Sequence, residues 1–214
     1  MQRSRKIVLL AVGLVSIGAI LFANFRTPPS EDVPEIAGFV YPQPKPIAAF
    51  ALEDHTGSTV NLDTLKGKWS FVYFGYTSCP DVCPLTLFEL SGAQAALADA
   101  GLDADNQYFF ISVDPQRDTP QRLGNYVSHF NRKLIGVSGT ERMLQSFAQD
   151  VGTLYDFPDG KDGDNYVVAH SSTLALFDPG GRLHAIFTYP QKSDGIADGF
   201  RKIRQRWQSR AAPG

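Results

Sequence analysis

Residues 73–84, YFGYTSCPDVCP, hold the only two cysteines of the chain, Cys79 and Cys83. The run that leads into them, WSFVYFGYT (69–77), is too apolar to be half exposed, which predicts a central strand buried on both faces. The run that follows, PLTLFELSGAQAALADA (84–100), carries leucine and alanine at helical spacing until Gly101 ends it. The cysteines therefore fall in a short turn between a buried strand and a helix, the second near the helix N-terminus. There the free amides and the helix dipole favour thiolate over thiol. Pro80 keeps Cys79 out of helical φ/ψ, and Pro84 suits an early helical position. Three chemistries fit the pair. A structural disulfide would close a loop so short that it constrains the unfolded chain little. A redox dithiol is open to it, although the familiar redox motif has a two-residue gap and this one has three. A metal clamp is open too, because thiolates at i and i+4 can point the same way, but it needs a third ligand from elsewhere.

Outward from this stretch, strands and helices alternate. FALEDHTGSTVNL (50–62) predicts two short strands around the Thr56-Gly57 turn, and QYFFISV (107–113) another buried strand. DPQRDTP (114–120) is a polar loop that starts a helix, with Thr119 as N-cap and Pro120 at the first helical position. KLIGVSG (133–139) is a short strand, followed by a helix from Thr140 to about Val151. YVVAHSSTLALFDPGGRLHAIFTYP (166–190) predicts a β-hairpin turned at Asp178–Gly181, and an amphipathic basic helix runs from Ser193 to about Arg210. The pattern is that of an α/β protein with a partly parallel sheet. With 214 residues, 43% of them hydrophobic and 20% charged, the chain can bury a full core, and two cysteines are too few for a disulfide scaffold. A net charge of −2 without a long basic stripe argues against nucleic acid as a partner.

The N-terminus predicts a membrane anchor. Residues 1–6 are a short basic leader, and Ile7–Phe25 carries no charged residue. As a helix this span would reach roughly 28 Å, close to the thickness of a bilayer's hydrocarbon core. Arg3, Arg5 and Lys6 precede it, with only Arg26 after it, so the leader is expected in the cytoplasm and the rest across the membrane. The alternative, a cleaved signal peptide, has a shorter apolar region and a small-x-small cleavage site, which is not convincing here. The leader lacks the character of a mitochondrial transit peptide, so the expected place is a bacterial plasma membrane with a periplasmic domain. Residues 26–46 are dense in proline and predict an extended tether, leaving 47–210 as the folded domain.

Among four histidines, His55, His129 and His184 fall in a turn, an amphipathic helix and beside a hairpin turn, where surface or edge positions account for them. His170 interrupts an apolar strand, where a polar ring costs free energy unless it is satisfied. A core histidine bonded to backbone is one account. With Cys79 and Cys83 it would instead complete a set of two thiolates and one imidazole, which suits Cu(I) and leaves Zn(II) short of a fourth ligand.

GYTSCPDVCPLTL (75–87), SVDPQRDTP (112–120) and a later histidine in a hairpin strand together resemble the Sco/SenC family of copper chaperones, over roughly residues 45–208. The resemblance implies a thioredoxin-like fold with a central mixed sheet, extra N-terminal strands, a hairpin and helices on both faces. It implies copper, as Cu(I) with Cu(II) as a second state, bound by Cys79, Cys83 and His170. It implies a role in assembling the dinuclear copper centre of cytochrome c oxidase subunit II, with another periplasmic copper chaperone or a thioredoxin-like reductant as further partners. In many relatives an aspartate precedes the ligand histidine; here that position is Ala169. Asp81, Asp114, Arg117 and Asp118 match family motif positions as well. Hard carboxylate oxygens suit a cuprous dithiolate poorly, so these residues are expected to position the loop or to contact a partner. The rival function is a thiol–disulfide reductase that keeps a partner's copper-ligand cysteines reduced. Thioredoxin-like oxidoreductases place a cis-proline opposite the dithiol, whereas Val167–Ser172 contains no proline and offers His170.

Overall fold

Trp69–Gly75 (β4) is the spine of the protein: all seven residues are buried, because it lies mid-sheet with side chains covered on both faces. In this computed structural model the described residues are 33–211, apart from 159, 162, 164 and 165. The leader 1–6, the apolar span 7–25 and the first part of the tether lie outside them. Among the described residues no helix is long and apolar enough to cross a membrane.

Asn106–Ser112 (β5) runs parallel to β4 on one side, and Leu134–Ser138 (β6) parallel to β5 beyond it. On the other side Leu174–Phe177 (β9) is antiparallel to β4, and Leu183–Phe187 (β10) returns beside it as a hairpin. The edges are completed by Gly38–Lys45 (β1) against β10, and by Ala51–Asp54 (β2) and Thr59–Asn61 (β3) beyond β6. The sheet order is β1-β10-β9-β4-β5-β6-β2-β3, which is mixed as expected. A short helix, Leu62–Leu65 (α1), follows β3, closed by a capping box between Asn61 and Thr64.

The parallel strands require crossovers, supplied by Val82–Asp99 (α2) and Pro120–Ser128 (α3). Alternation along β4 sorts the packing. Phe71 meets Phe200 of the last helix, Ser193–Ala211 (α5), and Tyr73 meets Phe110, which in turn packs on Tyr126 of α3. Phe74 points the other way, to Phe147 of Glu141–Val151 (α4), which stacks on Phe50 at 4.1 Å. Helices thus cover both faces. The large aromatics of β4 are fully buried; each contributes roughly 1.5–3 kcal/mol, and truncating Phe74 to Ala would cost about 3–5 kcal/mol.

Two boundaries differ from expectation. Proline density predicts a tether as far as residue 46, but residues 38–45 form β1, with Val40 buried at 3% exposure. Pro42 and Pro44 lack a ladder donor, and an edge strand tolerates that loss. The apolar run around His170 predicts that it belongs to the first strand of the hairpin. Instead Ala169–His170 (β8) pairs with Tyr155–Asp156 (β7) in a separate two-stranded ladder, and the hairpin strand begins only at Leu174. His184, expected at the surface, is 6% exposed and lies between Trp69 and Trp207 at 5.4 and 5.7 Å between ring centroids.

Candidate metal centre

The C-terminal end of β4 delivers the chain into the cysteine turn. Gly75 is the last strand residue, and a Cβ there would stand 2.8 Å from Cys83 Sγ and 2.9 Å from the Phe110 ring. Glycine is needed because the thiol and the ring press against the bare backbone, a meaning an isolated glycine in a buried strand carries. The amide of Cys79 donates to the Tyr76 carbonyl at 3.1 Å, which tightens the turn. α2 then starts with Asp81 as N-cap, but the Asp81 side chain makes no capping bond. The amides of Asp81 and Cys83 help instead to hold the Cys79 sulfur as thiolate.

Both cysteines are unbridged, Cys79 partly buried and Cys83 buried. Their sulfurs and a ring nitrogen of His170 all lie within 4.8 Å of one another, and Cys83 Sγ is 3.3 Å from His170 Nε2. Metal–sulfur bonds of about 2.3 Å and metal–nitrogen bonds of about 2.0 Å hold a trigonal donor set roughly 4 Å on edge. The three atoms stand close to that spacing, one pair at 3.3 Å and none more than 4.8 Å apart. His170 Nδ1 is 3.1 Å from the Ser171 carbonyl, which can only accept, so Nδ1 carries the proton and Nε2 presents its lone pair to the sulfurs. The carbonyl fixes the ring in the way a neighbouring carboxylate would, so the ligand is oriented with Ala169 beside it. Tyr73 and Tyr76 brace the ring edge-on, at 6.2 and 5.9 Å.

The two thiols are unequal. Cys79 is held well below an ordinary thiol: Cys83 hydrogen-bonds to it, burial opposes this, and the amides of Asp81 and Cys83 add their support. Cys83 is pushed up, by its bond to Cys79 first, then by burial and by the charge on Cys79. One thiolate and one thiol is the resting state of such a pair, and a bound cation would draw off the second proton. Tyr73, wholly buried beside Cys83, has its phenol held protonated by burial and then by the thiolate charge.

The motif residues divide. Asp118, 2% exposed, accepts from the Thr77 amide at 3.0 Å, from the Thr77 hydroxyl, and from Ser112 Oγ at 2.6 Å, so it grips the turn two residues before Cys79. Burial raises its carboxyl above the usual range, and the Ser112 and Thr77 bonds offset part of that. Asp114 accepts from Tyr166 Oη at 2.6 Å and from Arg117 Nε; Arg117 lies 3.6 Å over the Tyr166 ring and donates to its carbonyl at 3.0 Å. This group ties the loop after β5 to the segment leading to His170. Asp81 stands apart, exposed at the rim. Sequence reasoning missed Gly75, Tyr166 and Arg122, whose guanidinium donates to Thr77 Oγ1 at 2.6 Å and Ser78 Oγ at 2.7 Å. The glycine inside a buried apolar run was a visible signal. The other two meet partners some 40 to 50 positions away, which no local pattern encodes.

Residues 41–205 match the family model described as SCO1/SenC. The chain is 35% identical over 180 residues to the SCO2-like protein of Rickettsia felis, covering 83% of this chain and 86% of that one. Among solved structures it is similar to Arabidopsis thaliana ScoI with copper bound, at 36% identity and TM-score 0.67, covering 74% and 98% of the two chains. It is also similar to yeast Sco1 with copper bound, at 28% identity and TM-score 0.71, covering 80% and 96%. A thioredoxin-like sheet, a CxxxC turn at a helix start and a remote histidine meeting at one point agree with that match from end to end: the chain belongs to the SCO1/SenC family.

Proposed function

We propose that this protein is a copper carrier: Cys79, Cys83 and His170 bind copper as cargo, and the domain, held at a bacterial plasma membrane by residues 7–25, passes it to the dinuclear centre of cytochrome c oxidase subunit II. The observation that carries the reading is the convergence of two sulfurs and a tautomer-fixed imidazole nitrogen within 4.8 Å, a soft donor set of the kind cuprous ion prefers. The copper-bound relatives support it. Exposed Leu85 and Phe88 on α2, with Leu154 and Val167 on the His170 side, surround the centre with apolar surface for a docking partner. Handing over the metal needs an open side, and a groove of about 640 Å³ lined by Tyr76, Ser78 and Pro80 opens beside Cys79.

One observation favours a second reading. The split between a lowered Cys79 and a raised Cys83 is the arrangement of a dithiol reductant. The Cys79 thiolate would attack a partner disulfide, releasing one partner thiolate and forming a mixed disulfide. Cys83 would then lose its proton and attack Cys79, leaving a Cys79–Cys83 disulfide and a reduced partner. Copper titration beside measurement of the Cys79–Cys83 reduction potential separates the two. Tight one-to-one copper binding, lost in His170→Ala and absent in the oxidised protein, supports the carrier. Weak copper binding with a very low potential supports the reductase.

A further inference from the structure

Tyr73 and Gly75 stand two residues apart in β4, so they face the same side of the sheet. Cys83 packs on that side. A Cβ at Gly75 would lie 2.8 Å from Cys83 Sγ and 3.3 Å from Cε1 of the Tyr73 ring, which makes the sulfur and the ring neighbours over one stretch of bare backbone. The ring also meets the His170 imidazole edge-on, with centroids 6.2 Å apart. Tyr73 therefore borders two of the three metal donors. Its ring braces them; its hydroxyl has no part in that packing.

That hydroxyl is the unexplained atom. Tyr73 is fully buried, yet its Oη makes no hydrogen bond among the described residues. A buried hydroxyl left without a partner is costly, and phenylalanine would fill the same space without that cost. Two side chains lie close enough to interact with it, Thr86 and Cys83. Thr86 Oγ1 donates to Gln191 Oε1 at 3.3 Å, a bond that ties α2 to the segment after β10. Cys83 is the one whose needs change. In the metal-free protein its thiol donates to Cys79, and a neutral sulfur is a weak acceptor. As a metal ligand it is a thiolate, and a buried thiolate needs hydrogen-bond donors. The phenol is held protonated by burial and by the neighbouring sulfur, so it keeps a proton to donate, and its presence favours the ionised form of Cys83.

We propose that Tyr73 is a positioning residue for the metal: its phenol donates a hydrogen bond to the Cys83 thiolate once copper is bound. The inference rests on the copper-carrier reading of Cys79, Cys83 and His170. The bond is unmade in the empty protein and made in the loaded one, so it favours loading without adding to the stability of the empty fold. Hydrogen bonds to an ionised acceptor are the strong ones, and partners of this kind behind a ligand tune metal affinity. The same bond draws electron density from the sulfur and so sets how strongly Cys83 donates to copper.

The test compares Tyr73→Phe with the parent, as full chains in neutral detergent. Competition with a Cu(I) chelator should give an affinity about 10- to 100-fold lower in the variant. The sulfur-to-Cu(II) charge-transfer band should move to longer wavelength, because a sulfur without the bond holds its electrons less tightly. Urea unfolding of the reduced, metal-free proteins should find the variant as stable as the parent or more so, since an unpartnered hydroxyl has left the core. A variant less stable without metal but unchanged in copper affinity and spectrum would make the phenol a structural partner of Thr86 and overturn the proposal. Identity with the parent in all three measurements would overturn it too. A parent that binds no copper brings down the carrier reading and this inference with it, a result recognised without the variant. Should Tyr73→Phe fail to fold, infrared difference spectra of the parent carrying ring-13C tyrosine, Cu(I)-loaded minus metal-free, decide the question. A phenol C–O band that shifts on loading supports the bond, and an unchanged one overturns it.

Discussion

His170 Nε2 stands 3.3 Å from Cys83 Sγ across 87 residues of sequence. Two separate pieces of structure must be placed correctly for that contact: the start of α2, set by β4, and the two-residue strand β8, set by its pairing with β7. The ring is aimed by a backbone carbonyl, and the sulfur is seated by a missing side chain at Gly75. The metal centre is therefore built largely before any metal arrives, and its donors need to shed only a proton to close on an ion.

Loading with copper should stabilise the reduced protein and leave the oxidised one unchanged. At a free copper concentration a hundredfold above its dissociation constant, the reduced protein should gain about 2.7 kcal/mol. Thermal unfolding of the two redox forms with and without buffered Cu(I) measures this. Equal shifts in both would mean that copper binds away from the dithiol.

Alkylation should mark Cys79 before Cys83. The lowered Cys79 stays a thiolate in mild acid, so its rate with iodoacetamide should be nearly flat between pH 8 and 6. An ordinary thiol would slow by roughly 80-fold over that range. Mass spectrometry of partly labelled protein gives the order; first labelling at Cys83 would show that the charge assignment is reversed.

Gly75→Ala should harm stability and site together. The added methyl meets Cys83 Sγ and the Phe110 ring inside contact distance; overpacking of this kind costs about 1–3 kcal/mol. Because the thiol is the side that can shift, copper affinity should fall as well. Urea unfolding and a competition titration with a Cu(I) chelator read the two effects, and a variant unaltered in both would rule out the tight approach.

Arg117→Ala should be among the most damaging changes near the surface. It leaves Asp114, 1% exposed, with its charge uncompensated, at a cost of about 3–5 kcal/mol. Adding Asp114→Asn should recover part of the loss, measured as coupling in a double-mutant cycle. Simple additivity of the two changes would argue that they do not act as a pair.

Asp178 makes stability depend on pH in a defined direction. Burial alone would raise its carboxyl, but bonds from His184 and Arg182 outweigh that and hold it below the usual carboxylate range. A depressed folded value means that the carboxylate stabilises the protein above an ordinary aspartate pKa of about 3.9. That contribution is lost as pH falls through the lower folded value. Asp178→Asn should therefore lie furthest below the parent at pH 5 and above, with the gap closing towards pH 3. Melting curves from pH 3 to 7 test it, and a gap independent of pH would contradict the charged pairing.

The sequence by itself determined the fold class and the position of the cysteine turn. A largely apolar seven-residue strand, a Thr119-Pro120 helix start and a Gly101 stop are local, and local backbone chemistry decides them. It also singled out His170 as a polar group among apolar neighbours, although it placed that residue in the wrong strand. Edge strand β1 escaped it, because proline-rich edges and extended linkers look alike until a partner strand is present. Tertiary structure alone decided which atoms meet. The Ser171 carbonyl oriented the His170 ring, and Asp118 closed on Thr77 from 41 residues away. His184 turned from an apparent surface residue into a buried ring between Trp69 and Trp207. Burial and long-range hydrogen bonds set those outcomes, and neither is a property of any short stretch of chain.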